Sequence, residues 1–220
     1  MKIIGLETAT DICGVCIIRD GKIIDTEELI LFRDHAEKLP ILVNKILKNN
    51  NLKMNDFNSV AVSNGPGSFT GLRIGLSFAK ALAFSNNLPI VPIPTLYSIA
   101  NNLDFTNSKI KILLHSHATN VYFQNFEIKN SQIKELSKPT LSSWDKLIIN
   151  NTDFKIFHYG CEKLIQSELI KPIKPSSKSI VITANQEYKK FIVNNREFDH
   201  YTGKWKQRLI KFHNKVRKEI

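Results

Sequence analysis

Apolar and polar positions fall into runs whose period predicts the elements. Lys2–Glu7 is an apolar run of strand length, followed by the turn-like Thr8-Ala9-Thr10-Asp11. Ile12–Ile18 is a second apolar run, Asp20-Gly21 a two-residue hairpin signal, and Lys22–Leu31 a third strand, so the chain opens with an antiparallel meander. The period then lengthens. Leu39, Leu42, Val43, Ile46 and Leu47 form a helical stripe over 34–48. Asp34 and Glu37 stand at capping-box spacing, and Pro40 predicts a kink or a later start. Asn49–Asn58 is a polar connection. Ser59–Ser63 is a strand running into Gly65-Pro66-Gly67, where Ser68 is placed to cap a long helix. Pro89–Ile93 reads as a strand and Thr95–Leu103 as a short helix.

The pattern changes after the polar stretch Asp104–Lys109. Strands are expected at Lys111–His115 and Asn120–Ile128, a helix at Ser142–Ile149, and strands at Lys155–Tyr159 and Ser179–Ala184. Lys171–Lys178, with Pro172 and Pro175, reads as a loop, and Thr202–Ile220 as a basic helix. The order β-β-β-α-β-α-β in the first half predicts a mixed sheet with helices on its faces. A first unit over 1–104 and a second over 105–220 are expected.

The helix after Ser68 is the most telling segment. Gly71, Gly75, Ala79 and Ala83 place a small residue at every fourth position, a stripe that lets another element come very near. Leu72, Ile74, Leu76, Phe78, Leu82 and Phe84 widen the apolar sector well beyond the roughly 100° of an ordinary surface helix. Such a helix needs cover on two sides: its own sheet, and a second domain or another chain.

Composition bounds the partners. The 220 residues are 42% hydrophobic, enough for a proper core, and carry a formal net charge of +11, which suggests an anionic partner such as nucleic acid. An excess of lysine spread through the chain is the plainer explanation of that charge. Three cysteines do not make a disulfide framework. Glu7 interrupts the short apolar run after Lys2, and no segment nears the ~20 apolar residues of a membrane span, so the chain reads as soluble and cytoplasmic.

Several constellations bear on chemistry. Cys13-Gly14-Val15-Cys16 has redox spacing, but on a strand its cysteines point to opposite faces. His115-Ser116-His117 offers two imidazoles, which need a third ligand such as Asp104 or His158 to hold a metal; surface histidines near a turn are the plainer reading. Gly65, Gly67 and Ser68 at a helix start could bind an anion, as could Thr8 and Thr10 at the first turn, although no phosphate-loop lysine follows the glycines. The same residues serve equally well as turn formers. In the final segment Lys204, Lys206, Arg208, Lys211, Lys215, Arg217 and Lys218 would form a basic face opposite Trp205, Leu209, Phe212 and Val216, suited to RNA phosphates or simply to solvent.

The string GPGSFTGLRIG, with AKALAF in the same helix, LETAT where the first strand enters its turn and DHAEKLP in the first helix, resembles the TsaB (YeaZ) family of bacterial threonylcarbamoyladenosine-biosynthesis proteins over about residues 1–102. The resemblance implies the two-lobed actin/sugar-kinase/Hsp70-like α/β fold with mixed sheets flanked by helices. It implies a non-catalytic subunit that pairs with a TsaD-like catalytic relative and a TsaE-like ATPase, and forms a homodimer when alone. That assembly transfers a threonylcarbamoyl group to N6 of adenosine 37 of tRNAs reading codons that begin with A. ATP and metal are then expected on the partner subunits, with no cofactor or metal on this chain. The catalytic relative's two metal-binding histidines fall here at about Thr95 and Ile99, neither of which offers an imidazole. The partner interface implied is a bundle of 34–48 and 68–86, placing His35, Leu39, Leu42, Val43, Ile46, Gly71, Ile74, Gly75, Phe78, Ala79 and Leu82 at it. His115-Ser116-His117 stands where the family usually has an Asp-Ala-Arg-like string. Two rival expectations remain. One is an enzyme of the same superfamily, metallopeptidase-like or a small-molecule kinase, with Glu7 or Asp11 as base. The other is an RNA-binding module acting through its last helix.

Overall fold

The structure, a computed structural model, describes residues 1–198 apart from 131, 148–152, 166–167 and 195–197. The basic helix expected over 202–220 lies outside the described residues. The first sheet begins with the antiparallel meander β1 (Lys2–Glu7), β2 (Ile12–Arg19) and β3 (Lys22–Ile30). Asp20 and Gly21 take φ of 47° and 80°, the left-handed pair that a tight hairpin turn requires. Strands β4 (Ser59–Ser63) and β5 (Ile90–Ile93) add in parallel, giving the order β3-β2-β1-β4-β5.

A second sheet repeats the scheme. It holds β6 (Asn107–His117), β7 (Asn120–Lys129), β8 (Gln132–Glu135), β9 (Thr140–Ser143), β10 (Phe154–Tyr159) and β11 (Ile170–Pro172). Its order is β11-β10-β6-β7-β8, with β9 also pairing with β7. β6, β7 and β8 are an antiparallel meander, and β10 and β11 run parallel to β6. Strand for strand this matches the first sheet, so the molecule is the expected pair of related α/β lobes. Asn107–Lys109, read as part of a polar boundary, are the first residues of β6.

Helices and sheets stack in four layers, an outer helix pair, the first sheet, a central helix pair and the second sheet. On one face of the first sheet, α1 (His35–Asn49) and α2 (Phe69–Ser85) bury Leu39, Leu42, Val43, Ile46, Leu76 and Ala79 against Ile4, Leu6, Val15 and Ile17. Between the sheets lie α3 (Thr95–Asn101) and α4 (Ser177–Gln186), followed by the single turn α5 (Tyr188–Phe191). The two helices cross over. α3 follows the first sheet in the chain but packs on the second, whereas α4 follows the second and packs on Ile3, Cys16, Ile18, Ala61 and Val91 of the first. They are tied by Asn101 Nδ2 donating to Thr183 Oγ1 at 3.2 Å and Asn102 Nδ2 donating to the Ser179 carbonyl at 3.2 Å.

α4 corrects the strand expected at Ser179–Ala184. The β-branched run Ile180-Val181-Ile182-Thr183 favours a strand locally. However, Ser176 Oγ accepts from Lys178 N at 3.1 Å, and Glu28 Oε1 of β3 accepts from Ser177 N at 2.6 Å and from the Ser176 and Ser177 hydroxyls at 2.7 Å. A carboxylate at a helix N-terminus is stabilising, and tertiary packing outweighs propensity. The helix expected at Ser142–Ile149 is also corrected in its described part: Ser142 and Ser143 end β9, and Trp144–Lys146 form a 3-10 turn, while 148 and 149 lie outside the described residues. Trp144 and Leu147 still turn inward, onto Leu113, Val121 and Ile156.

At α1 the capping box does not form. Asp34 makes no side-chain cap bond, and Glu37 pairs with Lys38 at 2.6 Å. The helix nevertheless runs from His35 through Pro40. Ser68 does cap α2, accepting from Gly71 N at 3.2 Å. The expected interface residues divide into two sets. His35, Leu39, Leu42, Val43, Ile46, Gly71, Gly75 and Ala79 are buried within the chain, while Ile74, Phe78 and Leu82 are half-buried. The small-residue stripe faces its own sheet. A Cβ on Gly71 would run into the Thr8 carbonyl oxygen, and one on Gly75 into the Thr8 hydroxyl.

That contact sets a stability expectation. Gly71→Ala should cost roughly 1–3 kcal/mol through overpacking against backbone that cannot give way. Ser68→Ala should cost about 1 kcal/mol through the lost cap. Urea denaturation of the two variants measures both, and a neutral Gly71→Ala would refute the close approach.

Candidate functional site

The end of β1 and the start of α2 are locked together. Ser68 N donates to the Ala9 carbonyl at 2.6 Å, and Thr8 N donates to Ser63 Oγ at 3.3 Å. Gly65 turns with φ of 101°, and its carbonyl accepts from Thr95 N at 2.9 Å, which joins the turn to the start of α3. These contacts build one wall of a cleft of about 840 Å3 between the lobes. Thr10, Asp11, Gly67, Ser68 and Phe69 come from the first lobe, together with Leu31–Arg33 after β3 and His35 of α1. His115, Ser116 and His117 at the end of β6, Tyr122 of β7, Tyr159 at the end of β10 and Gly160 after it close it from the second. The cleft therefore unites two constellations that stood far apart in the chain, the Gly-rich turn and the histidine pair.

Most of its polar groups are already engaged. Thr10 Oγ1 accepts from Ile12 N at 3.1 Å, the bond of a turn former. His115 Nε2 lies 3.0 Å from the Ala118 carbonyl, which only accepts, so that nitrogen carries the proton. His117 sits between Ser116 Oγ at 3.1 Å and Asn120 Nδ2 at 3.3 Å. Tyr159 Oη donates to Asp11 Oδ1 at 2.5 Å across the cleft, and burial pushes the phenol well above its usual range. Gly160 has φ of 73° and lies so close to His115 that a side chain would crowd its Cβ. Sequence reasoning missed Tyr159 altogether; a lone tyrosine at a strand end gives no signal of a bond to a residue 148 positions away.

The remaining expected site residues lie elsewhere. Thr8 is fully buried, packed against Gly75, and does not line the cleft. His158 is buried within the second lobe, and Asp104 lines a separate groove. Among the described residues no group of three His, Cys, Asp or Glu side chains is placed to hold a metal ion. Cys13 and Cys16 point into the cores on opposite faces of β2, and burial pushes their thiols up to about 12 and about 11. Neither is a reactive thiolate. No helix among the described residues is long and apolar enough to cross a membrane.

Glu7 lies behind the cleft wall, 1% exposed. Its Oε1 accepts from Ala9 N at 2.6 Å while Oε2 has no partner, and burial raises its pKa to about 7.

Two matching sheets with a crossed helix pair between them and a cleft at their strand ends define the two-lobed actin/sugar-kinase/Hsp70-like class. YeaZ from Pseudomonas aeruginosa superposes with a TM-score of 0.76, covering 90% of this chain and 97% of that one at 17% identity, so the fold is shared. The family model described as TsaD, tRNA N6-adenosine threonylcarbamoyltransferase, matches residues 29–201, and the chain belongs to that family. Within it the resemblance to TsaB (YeaZ) holds. The tRNA threonylcarbamoyladenosine biosynthesis protein TsaB of Escherichia coli (strain K12) is 32% identical over 129 residues, 58% of this chain and 55% of that protein. The protein of the same name from Bacillus subtilis (strain 168) is 24% identical over 189 residues, 84% of this chain and 82% of that protein. The chain spans about half the length of the first of these relatives.

The buried Glu7 predicts a pH dependence. Unfolded, an ordinary glutamate ionises near 4.5; folded, this one ionises near 7. Between the two the folded state holds the extra proton, so the stability is full below about pH 4.5 and is lost as pH rises to 7. The loss is about 3 kcal/mol. Glu7→Gln should flatten this slope and gain stability at pH 8, measured by urea denaturation at pH 5 and pH 8. An unchanged slope would place the dependence elsewhere.

Proposed function

We propose that this chain is a non-catalytic subunit of the bacterial machinery that forms threonylcarbamoyladenosine in tRNA, acting on adenosine 37 of tRNAs reading codons that begin with A. It docks on a TsaD-like catalytic relative, works with a TsaE-like ATPase, and forms a homodimer when alone. ATP and metal belong to those partners, and the setting is the cytoplasm. The observation that carries this reading is at α3. Thr95 and Ile99, where the resemblance puts the catalytic relative's metal-binding histidines, are buried threonine and isoleucine. A metal-polarised carbonyl or water has no ligand set there. The enzyme alternative finds less support, because Glu7 is sealed from the cleft and Asp11 is held by Tyr159.

The docking face follows from α2. Its buried side rests on the sheet, but Ile74, Phe78 and Leu82 remain half-buried on an adjoining face, next to the exposed Ala81. Phe84, 76% exposed, lies apart from this strip, on the polar side of the helix with Ser77 and Lys80. An apolar strip of this kind on a helix suits a second helix.

Omitting the chain from a reconstituted reaction should abolish tRNA modification; modification at full rate without it would refute the role. Ala81→Arg changes an exposed position and should weaken co-purification with the catalytic relative roughly tenfold or more, the scale of an interface hot spot, with an unchanged melting temperature. Gly75→Arg is a poor probe of docking, since its side chain would strike Thr8 and disrupt the fold itself.

A further inference from the structure

We propose that the hydrogen bond between Tyr159 and Asp11 is a latch that holds the two lobes together over the interlobe cleft, and that its release opens the cleft. Tyr159 Oη donates to Asp11 Oδ1 at 2.5 Å, and the two residues line the cleft from opposite lobes. Glu28 and Asn102 tie the halves of the chain through the central layer: Glu28 of β3 accepts from the first turn of α4, and Asn102, just after α3, donates to the Ser179 carbonyl of α4. The Tyr159–Asp11 bond instead joins the lobes directly, from the end of β10 to the turn between β1 and β2.

Each partner is fixed in its own lobe. The Asp11 carbonyl accepts from Leu31 N at 2.7 Å, which fastens the turn to the residue after β3. The Tyr159 ring packs onto the core of the second lobe, and Gly160 beyond it turns with φ of 73° against His115. With both ends anchored, the gap between phenol and carboxylate is set by the spacing of the lobes, so the bond forms only when the cleft is drawn together. It is also releasable. Asp11 is exposed and Tyr159 half-buried, so water reaches the pair and can replace either partner; Ser177, which Glu28 holds, is buried. Burial and the neighbouring carboxylate push the phenol above its usual range, which keeps it a donor. A phenol donating to a carboxylate is a charge-assisted bond, strong enough to shift an open–closed balance roughly tenfold or more. The latch does not rest on the proposed subunit role, which the Ala81→Arg pull-down reads separately.

The test uses the full chain with nitroxide labels at Thr70→Cys and Thr119→Cys, exposed positions on the two lobes, and reads their separation by pulsed electron paramagnetic resonance. Cys13, Cys16 and Cys161 are buried and their thiols are pushed up to about 12, about 11 and about 12, so the label goes to the introduced cysteines. Tyr159→Phe keeps the ring and removes only the donor, and Asp11→Ala removes the acceptor. Each should raise the population at longer separations roughly tenfold. The double variant should match either single one, because both remove the same bond. Thermal melts establish that the variants are folded. An unchanged distance distribution in Tyr159→Phe, with or without a lower melting temperature, would overturn the latch and leave a bond that only adds stability. So would a shift in one single variant without the other, or shifts that add in the double variant.

Discussion

Everything at the functional end of the molecule depends on how closely α2 approaches the end of β1. Backbone lies on backbone there, with Ser68 N on the Ala9 carbonyl and no side chain at Gly71 to keep the Thr8 carbonyl away. The approach places the Gly65–Ser68 turn beside the Thr8–Asp11 turn, so the two form a single wall of the cleft. It also orients α2. With its glycines against the sheet, Ile74, Phe78 and Leu82 face sideways and Phe69 and Arg73 reach the rim. A larger residue in the stripe would move all of these groups together, because a helix rotates or shifts as a body.

A second constraint ties the lobes into one piece. Each lobe sends its following helix to the other sheet, so the central layer is exchanged between halves of the chain. Glu28 secures that exchange. It reaches past Gly14, where a Cβ would strike the Glu28 side chain at its Cγ, to the first turn of α4. The first sheet is thereby covered on one face by its own helices and on the other by a helix from the far end of the described chain.

This exchange accounts for what could be read from the chain. The meander, the GPG turn, the Ser68 cap and α2 were legible because their signals are local: period two, a two-residue turn, a cap at the right offset. The stripe at Gly71 and Gly75 was legible as a demand for close approach, but nothing local says that the neighbour is Thr8 of the same chain. α4 was misread because Ile180-Val181-Ile182-Thr183 is a strand by propensity, and the carboxylate that favours its helix comes from a residue 149 positions earlier. The helix expected at Ser142–Ile149 was a misreading at its described start, because the apolar spacing of Trp144 and Leu147 fits a helix face as well as a 3-10 turn lying on a sheet. In the site, Thr10, Ser68, His115 and His117 were each visible, but their meeting across the lobes, and Tyr159 between them, required the topology.

The two carboxyls nearest the cleft divide between them the exposure and the pKa that acid–base chemistry asks for. Catalysis needs an acid or base exposed to the reacting atoms with a pKa near the working pH. Glu7 has such a pKa but lies behind the wall, while Asp11 lies in the cleft but is fixed by Tyr159. The property that tunes one carboxyl, burial, removes it from any substrate, and the exposure that offers the other leaves it with a hydrogen-bond donor already in place. Phe69 and Arg73 are carried by α2, and α2 is held by its contact with Thr8. The same glycine contact that made the helix look too apolar for one sheet thus holds the apolar strip and the cationic rim in fixed relation.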